Sequence, residues 1–257
     1  MLLVLSPAKS LDYETPTKIS EATLPEFITE SATLISILKK MSLKEVAELM
    51  GLSDKLAALN VARYAEWSKK FDEKNSKQAL LAFDGDVYEG LNAKSLSLKE
   101  MKFAQDHVRV LSGLYGVLKP LDRMQPYRLE MGTALKNSKG KDLYAFWGDK
   151  ITLKLKSELE SHKTPILLNL ASDEYFKVVQ PAKLGCPVIS PVFQDEKDGK
   201  YKIISFYAKR ARGLMTRFII DNKIDNSEDI HEFNLEGYKY SAKESTPDKP
   251  VFKRKQS

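Results

Sequence analysis

The sequence predicts an α/β fold with a mixed sheet, flanking helices and a single domain over residues 1–240. Short apolar runs typical of strands are interspersed with helical stripes of apolar residues, in an order that favours one mixed sheet. No internal repeat and no long linker divides the chain. With 42% hydrophobic and 30% charged residues among 257, the composition is that of a globular protein with a substantial core.

Five apolar runs predict the strands. In chain order they are Leu2–Leu5, Ala79–Phe83, Ile166–Leu170, Val188–Phe193 and Tyr201–Phe206. The segment Asp195–Gly199 joins the last two runs and predicts a hairpin turn, because Gly199 tolerates a positive φ.

Apolar residues at helical spacing predict two helices, each with one buried face. The first stripe consists of Phe27, Leu34, Ile35 and Leu38, and the second of Phe103, His107, Val110, Leu111, Leu114 and Leu118. Capping boxes at Ser42–Glu45 and Ser97–Glu100 mark two helix starts. Residues 241–257 are polar and basic, and they predict a loosely held tail with a late strand at Val251–Phe252.

The composition and charge of the chain limit the classes of function that it can have. The net charge of +6 favours acidic partners such as nucleic acid. Cys186 is the single cysteine and the chain has three histidines, so we expect neither a disulfide nor a metal site. Rossmann and P-loop glycine patterns are absent, and we expect no cofactor. No apolar run approaches the roughly 18–20 residues of a membrane span. The chain opens on a predicted strand and not on a secretion signal, so we expect a cytoplasmic protein with no membrane partner.

The most informative segment for function is residues 42–67. It divides into a capped helix, a break at Gly51–Ser53 and a second helix from Asp54. The window Leu49–Ala57 matches a helix-hairpin-helix pattern, in which the hairpin and the next helix start aim backbone amides at a phosphate. Ser53 stands where the pattern has its second glycine, and Lys55 where it carries a phosphate-facing lysine. The alternative is an ordinary pair of helices packed on the core.

A second segment, Lys202–Phe218, predicts a basic helix. It has no acidic residue before Asp221, and its cations are Lys209, Arg210, Arg212 and Arg217. Such a surface can neutralise phosphates without regard to base sequence. The alternative is a solvated helix face.

A third segment, Val110–Gly132, predicts a helix followed by an ordered loop rich in turns. Further basic residues lie in this segment or directly before it, namely Arg109, Lys119, Arg123 and Arg128. Tyr115 and Tyr127 could stack on bases or lie in the core with hydrogen-bonded hydroxyls.

Acidic residues that follow predicted strands give a catalytic alternative. Asp84 and Asp86 follow one strand, and Asp173 and Glu174 follow another. Carboxylates at strand ends can hold Mg²⁺ for phosphoryl transfer, although such residues are more often caps or turn formers. Lys9, just after the first strand, could serve as a nucleophile or a phosphate ligand.

Several long blocks together resemble a bacterial family of peroxide-stress resistance proteins, the YaaA family. The blocks are Ser6–Tyr13, Phe83–Leu91, Leu111–Gly132, Tyr144–Thr152, Asn169–Lys177 and Phe206–Ile219. They run from the first strand almost to the tail, so the resemblance covers nearly the whole chain.

The resemblance implies a fold peculiar to the family, with a basic cleft and a helix-hairpin-helix element. It also implies binding of double-stranded and structured DNA, protection during oxidative stress, and links to DNA repair and iron limitation. By motif position the element falls on Leu49–Ala57. The cleft residues fall on Lys9, Arg128, Lys209, Arg210 and Arg212.

The leading hypothesis is therefore a DNA-binding protein of peroxide defence without strong sequence specificity and without a catalytic role. The alternative is a metal-dependent enzyme on nucleic acid or nucleotide, built on Asp84, Asp86, Asp173 and Glu174. Convergence of these carboxylates within the basic cleft would separate the two.

Overall fold

A computed structural model of the chain describes residues 1–255. Its α-helices are α1 (Ile28–Leu38), α2 (Leu43–Met50), α3 (Asp54–Glu66), α4 (Ala79–Ala82), α5 (Asp86–Leu91), α6 (Leu98–His107), α7 (Leu143–Trp147), α8 (Lys150–Leu159), α9 (Asp173–Phe176), α10 (Pro181–Leu184) and α11 (Ser205–Asn222). Its strands are β1 (Leu2–Leu5), β2 (Ser10–Leu11), β3 (Lys77–Gln78), β4 (Phe83–Asp84), β5 (Val108–Ser112), β6 (Gly116–Leu118), β7 (Arg123–Met124), β8 (Leu167–Leu170), β9 (Val188–Ile189), β10 (Val192–Lys197), β11 (Lys200–Lys202), β12 (Lys239–Tyr240) and β13 (Val251–Arg254). None of the helices within these residues is both long and apolar enough to cross a bilayer.

The main sheet confirms the predicted α/β class and the mixed sheet. Its strand order is β6-β5-β1-β8-β9, in which β5, β1, β8 and β9 run parallel and β6 pairs antiparallel to β5. The central strand, Leu2–Leu5, is buried along its whole length. A parallel strand covered on both faces is a continuous apolar run without alternation, and this is why β1 and β8 could be predicted.

A second sheet has the order β11-β10-β13-β12 and includes the end of the described chain. Strand β13 lies between β10 and β12, and Phe252 is fully buried. The predicted late strand at Val251–Phe252 is confirmed as part of β13. The expected loose attachment of the tail is wrong as far as Arg254, because Val251 and Phe252 are buried in this sheet and its core. Residues 256–257 of the predicted tail lie outside the described residues.

Three strand predictions need correction. Ala79–Ala82 is the helix α4, and the strand β4 begins only at Phe83. A short run buried on all sides has no periodicity to distinguish helix from strand, and alanine and leucine favour the helix. The run Val188–Phe193 divides at Ser190–Pro191 into β9 and β10, which belong to different sheets. The predicted strand Tyr201–Phe206 is a strand only as far as Lys202, where β11 ends, and α11 begins at Ser205.

The second predicted helical stripe is also wrong beyond His107. Helix α6 ends there, and Val108–Ser112 continues as the buried strand β5, followed by β6. Helix α6 itself starts at the predicted capping box, with Ser97 and Glu100 bonded reciprocally, as Ser42 and Glu45 are at α2. The hairpin turn between β10 and β11 is confirmed, with φ of 56° at Asp198 and 71° at Gly199.

Helices α5 and α11 cross at very short range because glycines face each other's backbones. A Cβ on Gly213 would lie 1.8 Å from the Val87 carbonyl oxygen, and a Cβ on Gly90 would lie 2.3 Å from the Arg210 carbonyl oxygen. This crossing holds the basic helix α11 against α5, close to the end of β1.

Candidate functional site

A crevice lies at the carboxyl ends of the central strands. The chain passes from β1 to β5 on one side and later returns to β8 on the other side of β1. Such a reversal opens a crevice beyond the strand ends, where open α/β sheets bind ligands. Here Ser6 follows β1 and Ser172 follows β8, and the Ser172 amide donates to Ser6 Oγ at 2.8 Å. The Tyr88 hydroxyl donates to the Ser6 carbonyl at 3.0 Å and ties α5 to the same place.

The cavity beside this crevice is small and carries a cluster of charges at its rim. Its volume is about 20 Å³, and Lys9, Arg128 and Glu130 are among its lining residues. Glu130 Oε1 is 3.1 Å from Arg128 Nε and 3.5 Å from Lys9 Nζ. Lys9 keeps 68% of its side chain exposed, whereas Arg128 keeps 17%. One carboxylate therefore holds both of these predicted cations, and the lysine remains open to a ligand.

The four strand-end acids do not gather around one point. Asp84 is exposed at the end of β4, Asp86 begins α5, and Asp173 and Glu174 begin α9. Glu174 accepts a hydrogen bond from the Gly132 amide at 3.0 Å. Within residues 1–255, no three of these carboxylates have oxygens within 4.8 Å of one another. The geometry expected of a metal site at these acids is not formed.

Two of the four cations on α11 form ion pairs. The partner of Arg210 is distant in sequence, and the partner of Arg217 lies one helical turn further on. Arg210 Nε donates to Glu236 at 2.9 Å, and this pair raises the pKa of the guanidinium. Arg217 Nε donates to Asp221 at 2.8 Å, and its Nη1 donates to Ser95 Oγ at 2.6 Å. The charge excess seen in the linear sequence is therefore partly balanced in the folded chain.

The other two cations of α11 differ from each other. Lys209 is exposed and has no acidic partner within 4.0 Å in the described part of the chain. Arg212 is largely buried, and burial lowers its pKa while the charge of Asp173 opposes that shift. No carboxylate among residues 1–255 lies within 4.0 Å of Arg212. Asp173, which follows Ser172, is thus close enough to act on Arg212 through its charge without forming an ion pair.

The hairpin of α2 and α3 has the backbone geometry that residues 42–67 predicted. Gly51 ends α2 in the left-handed region, with φ of 60°, and nothing lies within 4 Å of where its Cβ would be. Gly51 and Ser53 are exposed. Ser53 is extended and its side chain does not cap α3, so the first amides of α3 receive no side-chain acceptor. Lys55 is exposed in the first turn of α3.

The packing of this hairpin departs from expectation at one residue. Leu49 and Leu52 are partly buried and pack against the core, as expected of residues that hold the hairpin in place. A hairpin fixed before DNA arrives predicts that Leu56 packs inward as well, and this prediction is wrong, because 40% of Leu56 is exposed. Ala57 instead takes the buried position in that turn, because the buried face of α3 is the one formed with Asn60 and Tyr64.

A hydrogen bond connects the hairpin to the rim of the crevice. The Tyr64 hydroxyl of α3 donates to the carbonyl oxygen of Arg128. Arg63, the neighbour of Tyr64, is half-buried and its pKa is lowered by burial. Sequence reasoning passed over Arg63, although it lies eight residues after Lys55 on a helix that was predicted. Two turns of helix put both cations on broadly the same side.

The tyrosines of residues 110–132 belong to the core. Tyr115 accepts a hydrogen bond from Trp67 Nε1 at 2.9 Å, and Tyr127 is 2.6 Å from Ser112 Oγ. Burial raises the pKa of both hydroxyls. Arg109 is also buried, and its Nε donates to Glu158 at 2.6 Å. These three residues are not available to a nucleic acid.

Residues 1–244 match a protein family described as peroxide stress protein YaaA. The chain belongs to this family. The match spans the crevice, the hairpin and α11, and the family's description supports a role in oxidative stress. The resemblance of the six sequence blocks is thereby confirmed.

Curated relatives agree over the full length. A UPF0246 protein of Polynucleobacter necessarius is 67% identical over 254 residues, which cover 99% of this chain and 98% of that protein. A second, from Ralstonia nicotianae, is 58% identical over 255 residues, with 99% of both chains covered.

Proposed function

We propose that this member of the YaaA family binds double-stranded and structured DNA without strong sequence specificity, as part of the response to peroxide. The observation that carries the proposal is the tip of the α2–α3 hairpin. There Gly51 and Ser53 are exposed, the amides that begin α3 have no side-chain cap, and Lys55 lies beside them. Uncapped amides at a helix start attract a phosphate through their hydrogen bonds and the helix dipole.

Further cations extend the proposed contact beyond one phosphate. Arg63 lies further along α3, and the bond from Tyr64 to Arg128 places the rim of the crevice next to it. Lys9 and Lys209 are exposed as well, and we include both among the proposed contacts. The DNA contacts that we favour are Gly51, Ser53, Lys55, Lys9, Arg128 and Lys209. We assign Arg210, Arg212 and Arg217 to the support of this surface, because the first and third are ion-paired and Arg212 is largely buried.

A single substitution separates helix stability from DNA binding. Ser53→Asp supplies the missing cap and should stabilise α3 by about 0.5–1 kcal/mol. The same carboxylate occupies the amides and repels phosphate, so the affinity for a random-sequence duplex should fall at least about tenfold. Ser97→Asp makes the same change at the start of α6 and serves as the control.

The measurements are thermal unfolding and fluorescence anisotropy at several salt concentrations. Lys55→Ala should lower the slope of log affinity against log salt by about one, as expected for one lost phosphate contact. Equal affinity of Ser53→Asp and Ser97→Asp for DNA would remove the hairpin from the interface. Absence of salt-dependent binding by the unaltered protein would overturn the function itself.

A further inference from the structure

Two of the three histidines in the chain meet an aspartate at the amino ends of the central strands. His107, His162 and Asp225 each offer a ligand atom, and these atoms lie within 4.8 Å of one another. Among residues 1–255, no other group of three histidine, cysteine or acidic side chains has its ligand atoms within this distance of one another. The sequence did not predict it, since 55 and 63 residues separate its members.

The cluster lies at the opposite end of the sheet from the crevice. His107 precedes β5, His162 precedes β8, and Asp225 follows α11. Because β1, β5 and β8 are parallel, their amino ends share one edge, and the crevice at Ser6 and Ser172 lies at the other. The cluster therefore connects three distant parts of the chain and is separate from the proposed DNA contacts.

The environment is open enough to admit an ion. The three side chains line a cavity of about 440 Å³ at the surface. His107 keeps 14% of its side chain exposed and Asp225 keeps 35%. The His107 ring stacks on Phe103 with centroids 4.1 Å apart, and it meets the His162 ring edge-on at 4.9 Å. Aromatic packing thus holds both imidazoles in place before any ligand arrives.

The cluster already accommodates a positive charge, although Lys163 also lines the cavity. Two nearby cations in the cavity wall, Arg109 and Lys119, are held by Glu158, with Arg109 Nε 2.6 Å and Lys119 Nζ 3.7 Å from its oxygens. Asp225 already binds one cation, the amino group of Met1, which is also 3.3 Å from His162 Nδ1. A positive charge is therefore what this position accommodates.

We propose that His107, His162 and Asp225 bind one divalent transition-metal ion. Two imidazoles and one carboxylate suit zinc and ferrous iron, whereas Mg²⁺ and Ca²⁺ prefer oxygen ligands alone. Zinc–ligand bonds of about 2.0–2.2 Å place tetrahedral ligand atoms about 3.4 Å apart. The three atoms lie within 4.8 Å of one another, so they need to approach by at most about 1.4 Å. Rotation of the partly exposed Asp225 side chain and small shifts of the two imidazoles can supply this approach. The ion would take the place beside Asp225 that the Met1 amino group now holds, and it would tie the starts of β5 and β8 to the segment that follows α11.

Zinc titration of the untagged, EDTA-treated protein tests this site. We expect isothermal calorimetry to show one saturable zinc ion per chain and thermal unfolding to move to higher temperature with zinc. His162→Gln and Asp225→Asn should each weaken zinc binding at least about tenfold, since each removes one ligand. His231→Gln is the matched control, because His231 stacks on Tyr240 away from the cluster.

Cobalt provides a measurement that does not depend on the variants. Co²⁺ bound to imidazole nitrogen gives visible absorption bands. Zinc should displace the cobalt, so the bands should decrease in proportion to the zinc that is bound. The proposal is overturned if the unaltered protein takes up no saturable equivalent of zinc or cobalt. It is equally overturned if His162→Gln, Asp225→Asn and His231→Gln all bind zinc as the unaltered protein does. In that case the three side chains serve only to hold the amino-terminal strand.

Discussion

Single residues in this protein owe their properties to partners that the linear sequence does not place beside them. Asp122 is an example: it follows Leu121 in a turn and is 3% exposed. Thr23 Oγ1 donates to it at 2.6 Å and the Lys119 amide at 2.8 Å. Burial nevertheless raises the pKa of this carboxyl from 3.8 to about 6. A buried charge is disfavoured even where two hydrogen bonds remain.

The raised pKa of Asp122 makes stability depend on pH in a defined direction. Between about pH 4 and pH 6 the folded chain holds a proton that the unfolded chain has lost, so this residue's contribution to stability declines as pH rises. Relative to Asp122→Asn, the unaltered protein should lose about 1–3 kcal/mol across this interval, at about 1.4 kcal/mol per pKa unit. Urea unfolding at several pH values measures the difference. A pH-independent difference between Asp122→Asn and the unaltered protein would contradict the prediction.

At the scale of elements, close helix packing decides where the basic helix lies. The α5–α11 crossing depends on Gly90 and Gly213, each of which faces a backbone carbonyl of the other helix. This approach brings Arg210 of α11 within 3.8 Å of Glu89 on α5. The contact of the basic helix with α5, including this ion pair, therefore depends on two glycines.

Gly213→Ala tests that dependence. Its Cβ would lie 1.8 Å from the Val87 carbonyl oxygen, so the helices must move apart, and we expect a loss of about 2–3 kcal/mol in the free energy of unfolding. Gly185→Ala is the control, because its Cβ meets nothing within 4 Å and only its φ of 73° is strained, at about 1 kcal/mol. Chemical denaturation measures both. Equal losses in the two variants would show that the crossing tolerates a methyl group.

At the scale of the whole molecule, the two larger sheets divide the chain into an earlier and a later part. The main sheet draws its strands from residues 2–189, and the second sheet joins residues 192–202 to residues 239–254. Strand β13 closes the second sheet, where Arg254 Nε donates to the buried carboxylate of Asp195 at 2.6 Å. A short terminal strand thus neutralises a buried charge and covers a core of aromatic rings.

Removal of that strand should affect the entire second sheet. A chain that ends at Pro250 loses Phe252 from the core and leaves Asp195 without its arginine, and an unpaired buried charge alone costs about 3–5 kcal/mol. We expect a fall of more than roughly 10 °C in the unfolding temperature, or loss of soluble protein. A chain that ends at Lys255 should unfold like the full-length protein. Unfolding of the Pro250 chain within roughly 2 °C of full length would contradict the assigned role of β13.

The sequence by itself determined the features that depend on neighbouring residues. Both capping boxes, the left-handed Gly51 and the turn at Asp198–Gly199 follow from backbone sterics and local hydrogen bonds, which act over four or five residues. The buried strand β1 could also be predicted from the sequence, because a strand covered on both faces needs an unbroken apolar run. The family could be recognised for a different reason, since six long blocks coincide along one chain.

Only the tertiary structure decided which distant residues meet. Short apolar runs such as Ala79–Ala82 have no periodicity, so packing on all sides chose the helix. Two contacts depend on the order of the parallel strands: the bond between Ser6 and Ser172, and the meeting of His107 with His162 and Asp225. That order is fixed by the burial of whole faces across more than a hundred residues, and no local pattern records it.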